Sequence, residues 1–109
     1  MVKVEVGEFV RVMGDTPKNR ILEFFLALRN LDQGIGDVAG DCGLNRQTTY
    51  NTIAELVKEK IIVPSRTIGR TQLYKLNLDN SRAKLLMETF DFILKKLAER
   101  YEEKPVHAG

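Results

Sequence analysis

Arg46, Gln47, Thr48, Tyr50 and Asn51 gather at what reads as one end of a helix. Their side chains are of the kind that hydrogen-bond to nucleic acid. A guanidinium matches guanine O6 and N7, and a carboxamide matches adenine N6 and N7. Arg46 therefore suits the first, and Gln47 or Asn51 the second. Thr48 suits a thymine methyl or a phosphate, and Tyr50 a phosphate or the sugar backbone. The helix start, capped by Asn45, offers free amides to a phosphate. Further along, Arg66 and Arg70 flank the Gly69 turn and would meet phosphates or the neighbouring minor groove. Each position also has a plainer use: Arg66, Arg70 and Lys75 can guard a strand edge, and Tyr50 can cover part of the core. The coincidence of this polar row with a basic hairpin favours the chemical use.

Positioning that row takes a helix, a sharp turn and a second helix. Asp37 to Cys42 reads as the first, ended by Gly43, which can take the left-handed conformation of a sharp turn. Ala39 lies where the two helices must pass closely, so it has to be small, and Leu44 fills the space under the turn. The second helix runs from Arg46 to about Lys60, with Thr49, Ile53, Leu56 and Val57 spaced as a buried face. Arg46, Gln47, Thr48, Tyr50, Asn51 and Ala54 fall on the other side. Helices joined in this way can present the second to the major groove of DNA. Ile61 to Thr67 and Thr71 to Leu78 read as a hairpin, with Ile68, Gly69 and Arg70 between them and Gly69 supplying a positive φ. Tyr74, Leu76 and Leu78 share the face placed against the helices.

The flanks supply the rest of the core. Residues 2 to 13 alternate Val with charge at their start and read as a short strand or extended arm. Asp15 or Thr16 can cap a helix with Pro17 in its first turn. That helix reaches about Asn30 and turns Ile21, Leu22, Phe24, Phe25 and Leu28 inward. Gly34 to Gly36 is a break, where Ile35 can pair as a single short strand with the hairpin. Asn80 or Ser81 starts a last helix to about Glu103, roughly 34 Å long at 1.5 Å per residue. Leu86, Phe90, Ile93, Leu94, Leu97 and Tyr101 form one apolar stripe on it, and Leu85 and Phe92 lie nearly opposite. A surface helix on a monomer needs one stripe, so two point to a second copy of the chain. The alternative is that Leu85 and Phe92 pack under the N-terminal strand. Lys104 to Gly109 lacks apolar anchors and reads as a disordered tail.

Composition narrows the classes. At 109 residues the chain is one domain with a modest core. Its net charge of +2 decides little, but its distribution is informative. Between Asn45 and Lys75 six basic residues face two acidic ones, Glu55 and Glu59. No apolar run is long enough to span a membrane, and the N-terminus lacks the apolar block of a signal peptide, so a cytoplasmic location is expected. His107 is the single histidine, near the C-terminus, and no Gly-rich phosphate loop is present, so enzymatic activity is not expected. Cys42 has no cysteine or histidine near it in sequence; it reads as a buried filler rather than a metal or redox sensor, and no cofactor is expected.

Residues Ile35 to Leu78 resemble the winged helix-turn-helix transcription regulators related to the multiple-antibiotic-resistance and arsenic-repressor groups, above all the small regulators common in archaea. The residues that carry the resemblance are Ala39, Gly43-Leu44-Asn45, Thr49-Tyr50, Ile53, Leu56, Ile61-Ile62-Val63 and Gly69-Arg70, followed by Leu73-Tyr74-Lys75-Leu76-Asn77. Members commonly have Ser where Asn45 sits, Val where Thr49 sits and Gly where Lys60 sits. Asn is an equivalent cap. Thr49 brings a hydroxyl, which a helix satisfies at the carbonyl one turn back. Lys60 replaces the usual helix-terminating Gly, so that corner is expected to be built differently.

The resemblance implies an α+β fold, mainly α: a winged helix-turn-helix with a two-stranded wing and a long C-terminal helix. Residues 1–14 would be the arm or strand, 15–80 the DNA-binding domain, 81–103 a dimerisation helix and 104–109 the tail. It implies a sequence-specific, double-stranded-DNA-binding transcriptional regulator acting as a homodimer on a palindromic site. Its DNA contacts would come from Asn45, Arg46, Gln47, Thr48, Tyr50, Asn51, Arg66 and Arg70. Its dimer contacts would come from Leu85, Leu86, Phe90, Phe92, Ile93 and Leu97. A small-molecule effector would need a cavity between the long helix and the core. The competing reading is a winged helix used for protein interaction in a transcription or replication assembly, without specific DNA binding.

Overall fold

A computed structural model describes residues 5–103. In chain order it comprises α1 (Glu8–Met13), α2 (Pro17–Ala27), β1 (Gln33–Gly34), α3 (Ile35–Cys42), α4 (Arg46–Lys58), β2 (Ile62–Ile68), β3 (Thr71–Leu76) and α5 (Ser81–Glu103). The three strands form one antiparallel sheet in the order β1-β3-β2. The start of the expected N-terminal arm, Val2 to Val4, and the expected tail, Lys104 to Gly109, lie outside the described residues.

The expectation of a strand or extended arm over residues 2 to 13 is corrected for Glu8–Met13, which is helical. The cause is a contact from outside the segment. Glu23 on α2 turns its carboxylate onto the start of α1, Oε1 accepting the Gly7 amide at 2.9 Å and Oε2 the Val10 amide at 3.1 Å. These bonds satisfy helix-start amides that have no partner within the helix. A Cβ on Gly7 would lie 2.7 Å from Glu23 Oε2, so glycine is what admits the carboxylate. The short helix then buries Phe9 and Val10, with the Phe9 ring 6.0 Å from that of Phe90.

Thr16 caps α2, its hydroxyl accepting the Asn19 amide at 3.1 Å, and Pro17 takes the first helical position, where no amide is required. The helix ends at Ala27 rather than near Asn30, because Leu28 leaves helical geometry (φ −115°, ψ 45°). Ile21, Leu22, Phe25 and Leu26 are buried, while Phe24 and Leu28 are only half-buried. Gly43 stands in the left-handed conformation (φ 66°, ψ 37°) and ends α3 as expected. Asn45 starts α4 by accepting the Thr48 amide at 2.7 Å. The wholly buried Thr49 donates its hydroxyl to the Asn45 carbonyl at 2.8 Å, one turn back. Thr52 joins the buried face in the same way, donating to the Thr48 carbonyl.

The corner after α4 keeps the geometry that a glycine would take. Lys60 has a φ of 63°, the one non-glycine residue with positive φ among those described. The expected change of construction does not occur; the lysine accepts the strain. Asn77 braces the corner, donating its side-chain amide to the Lys60 carbonyl at 3.0 Å and its backbone amide to the Ile61 carbonyl at 2.8 Å.

Gln33 and Gly34, not Ile35, pair with the hairpin, opposite Tyr74 and Leu73, and Ile35 opens α3 instead. Gly69 turns the hairpin with φ 61°. Between Pro64 and Thr67 the register slips, so that Ser65 and Arg66 bulge opposite Leu73. Pro64 lies on the edge strand, where its missing N–H is tolerated. The expected inward face of β3 is corrected too. Leu73 and Leu76 are buried and Tyr74 is half-buried, but Leu78 lies past the strand end and is exposed.

Asn80 caps α5, accepting the Ala83 amide at 2.9 Å. The helix seats Ala83 and Phe90 in the core and is fastened to the α2 end by Arg29, which reaches Asp91 at 2.8 Å and lies over the Phe90 ring. Among the described residues no helix is long and apolar enough to cross a membrane.

Candidate nucleic-acid interface

The N-terminal half of α4 is where the geometry and the sequence agree most closely. Arg46, Gln47, Tyr50 and Asn51 are all exposed, with Asn45 exposed at the cap and Thr48 half-buried beside it. Tyr50 keeps 55% of its surface exposed and is not a core residue. The Gln47 side-chain amide donates to Asn51 Oδ1 at 3.0 Å, so two carboxamides stand as one unit a turn apart. Ala54 continues the exposed face with a short side chain.

The acidic residues of α4 are held away from that end. Lys18 on α2 bridges Glu55 at 3.0 Å and Glu59 at 3.2 Å. The Glu55 hydrogen bond raises the lysine pKa most, against the opposing cost of burial. The bridge also ties α4 to α2.

On the hairpin the two arginines differ. Arg70 follows Gly69 at the tip and is exposed. Arg66 lies in the bulge and reaches back to Asp32, its Nε donating to Oδ2 at 2.9 Å. Ser65 donates its hydroxyl to the same oxygen at 2.8 Å. Arg66 is thus exposed but already paired, which the sequence alone did not reveal. Asp32 was missed because it belongs to a loop far along the chain, and a lone loop carboxylate gives no signal of its partner. Arg46, Tyr50 and Arg70 line one open groove of about 580 Å³ between α4, the start of α3 and the wing.

The residues expected at a dimer seam separate into two sets. Leu85 and Phe92 are 62% and 59% exposed, and Leu86, Ile93 and Leu97 are half-buried. Phe90 is 8% exposed and packs within its own domain on Phe9, so its place in the expected seam is corrected. Val12 on α1 borders a groove with Phe92, Ile93 and Leu97.

Cys42 is buried, and burial pushes its thiol up to about 12, with Asp41 adding to the rise. Its sulfur lies 3.5 Å from the Arg20 carbonyl, while Arg20 donates to the Cys42 carbonyl at 2.9 Å. That is a packing position. Among the described residues no group of three or more His, Cys, Asp or Glu side chains is placed to hold a metal ion.

No protein-family model matches the chain, and no curated protein matches it. Solved structures of similar fold do exist. MepR, a transcription regulator of the Staphylococcus aureus multidrug efflux pump MepA, superposes with a TM-score of 0.63 at 15% identity, over 90% of this chain and 70% of MepR. The adhesin competence repressor AdcR of Streptococcus pyogenes gives 0.59 at 15% identity, over 77% of this chain and 62% of AdcR. A mutant of Staphylococcus aureus MepR bound to an oligodeoxyribonucleotide gives 0.61 at 15% identity, over 92% of this chain and 72% of that one. The chain therefore spans about two thirds of the length of these structures. Its mainly helical architecture, small antiparallel sheet and α3–α4 turn make it a winged helix of the kind found in MarR-family regulators.

Proposed function

We propose that the chain is a sequence-specific, double-stranded-DNA-binding transcriptional regulator that acts as a homodimer in the cytoplasm. The observation that carries this reading is the exposed row of Arg46, Gln47, Tyr50 and Asn51 on α4 beside the Arg70 hairpin. Buried structural polar groups would be satisfied internally; these are turned to solvent at the start of α4. In this reading α4 enters the major groove, the short Ala54 side chain permits close approach, and the wing meets the backbone or minor groove. The oligonucleotide-bound MepR mutant, a neighbour in fold, supports DNA as the partner. Within the wider class, the Gly69-to-Leu76 hairpin favours the small regulators common in archaea.

Self-association rests on Leu85 and Phe92, whose exposed apolar surface a second copy would cover, with Leu86, Ile93 and Leu97 at its border. A two-fold dimer would set its two α4 helices about 34 Å apart, on successive major-groove turns. Selection of duplexes from a random library by the purified chain tests the reading. It should enrich a two-fold-symmetric site with half-sites about 10 base pairs apart. Folded protein that enriches no sequence would contradict it and favour a protein-interaction module.

A further inference from the structure

Resting on the regulator reading, we infer that Arg46 and Arg70 form a paired clamp for one backbone phosphate segment, and that base discrimination falls to Gln47 and Asn51. The course of Arg46 points this way. A Cβ built on Gly36 would lie 3.1 Å from Arg46 Nη1, so the guanidinium folds back across the first turn of α3. It therefore lies against α3, in the groove that Arg70 of the wing also lines. With no side chain at Gly36, the guanidinium lies close against that turn.

The groove itself has the matching character. Arg46 and Tyr50 of α4 and Arg70 of the wing all line it. Among the described residues neither guanidinium is taken up by an ion pair, whereas Arg66 is held by Asp32. Asp37 is the single carboxylate lining the groove, so two cations face one acid. A phosphodiester supplies the anionic oxygens that two guanidinium forks require, and the tyrosine hydroxyl can add a donor. A guanine edge offers two acceptors to one guanidinium but carries no charge, and does not serve two arginines at once.

Gln47 and Asn51 have the complementary character. They are uncharged, exposed and bonded to one another at 3.0 Å. That bond leaves a carboxamide oxygen on Gln47 and the amide hydrogens of Asn51 to face outward, the pair of groups that matches adenine N6 and N7.

The test measures binding of the full chain to a selected duplex and to a random duplex over a series of salt concentrations, after thermal melts show each variant folded. Arg46→Ala and Arg70→Ala should weaken both duplexes by the same factor. Each should also reduce the slope of log K against log salt by about 0.9. Gln47→Ala and Asn51→Ala should weaken the selected duplex alone and leave the slope unchanged. If Arg46→Ala instead relaxes preference at one base pair with its salt slope intact, the clamp is overturned while the regulator reading stands. A parent chain that binds neither duplex overturns the regulator reading itself.

Discussion

Arg66 in the wing bulge and Asp32 just before β1 hold one another through paired hydrogen bonds, Nε to Oδ2 at 2.9 Å and Nη2 to Oδ1 at 3.4 Å. The contact joins the edge strand to the far side of the sheet and satisfies the wing cation internally. Asp32 therefore occupies the position a phosphate would take on that guanidinium. Asp32→Asn should release Arg66 and steepen the salt dependence of duplex binding by up to about 0.9 in the log–log slope. An unchanged or shallower slope would show that Asp32 positions the wing rather than competing with DNA.

The same pair carries a pH signature. Arg66 first, and then Ser65, hold the Asp32 carboxyl below its ordinary value of 3.8. A depressed carboxylate stabilises the folded state above its unfolded pKa and loses that contribution as pH falls through the lower folded value. The wild-type chain should thus lose a contribution below about pH 4 that Asp32→Asn lacks. Parallel acid denaturation of the two proteins would test this, and coincident curves would contradict it.

Lys60 stands in a left-handed conformation that costs a non-glycine residue about 1 kcal/mol. Lys60→Gly removes that strain at an exposed position, offset in part by the greater freedom of glycine when unfolded. The variant should melt a few degrees higher, at about 4–8 °C per kcal/mol for a domain of this size. A lower melting temperature would mean that the lysine side chain contributes more at the corner than its backbone loses.

Phe90 and Phe92 are neighbours on α5 with opposite surroundings, 8% and 59% exposed. Phe90→Ala should destabilise the fold by about 3–5 kcal/mol, the range for emptying a buried aromatic site. Phe92→Asp, with Leu85→Asp, should leave the melting temperature of the isolated chain nearly unchanged and reduce its molar mass in light scattering from dimer to monomer. Persistence of the dimer would place the seam elsewhere.

Burial holds the Cys42 thiol protonated, with its pKa up at about 12. Because the thiolate is the reacting species, the native chain should resist a thiol-specific reagent at about pH 8 and react promptly once unfolded in denaturant. Rapid native labelling would show that the thiol is open to solvent.

What was readable in the sequence was local. Thr16, Asn45 and Asn80 each cap a helix through a bond to an amide three residues on, and Gly43 and Gly69 each mark a turn by backbone geometry. The exposed row on α4 followed from periodicity once its cap was known. What escaped depends on partners far along the chain. Glu23 makes a helix of Glu8–Met13 from sixteen residues beyond Gly7, and Asp32 captures Arg66 from across the sheet. Neither pairing leaves a trace in the local pattern. Phe90 and Phe92 show a similar limit, since both are apolar at plausible spacing, and the placing of Phe9 and Arg29 over one ring decides which is covered.

Whether this surface binds duplex DNA is tested most directly by fluorescence anisotropy with a random-sequence duplex at two salt concentrations, on protein sized by light scattering. A dimer whose binding weakens steeply between about 50 and 200 mM salt is the predicted result. A folded chain that leaves the anisotropy unchanged even at the lower salt would contradict it.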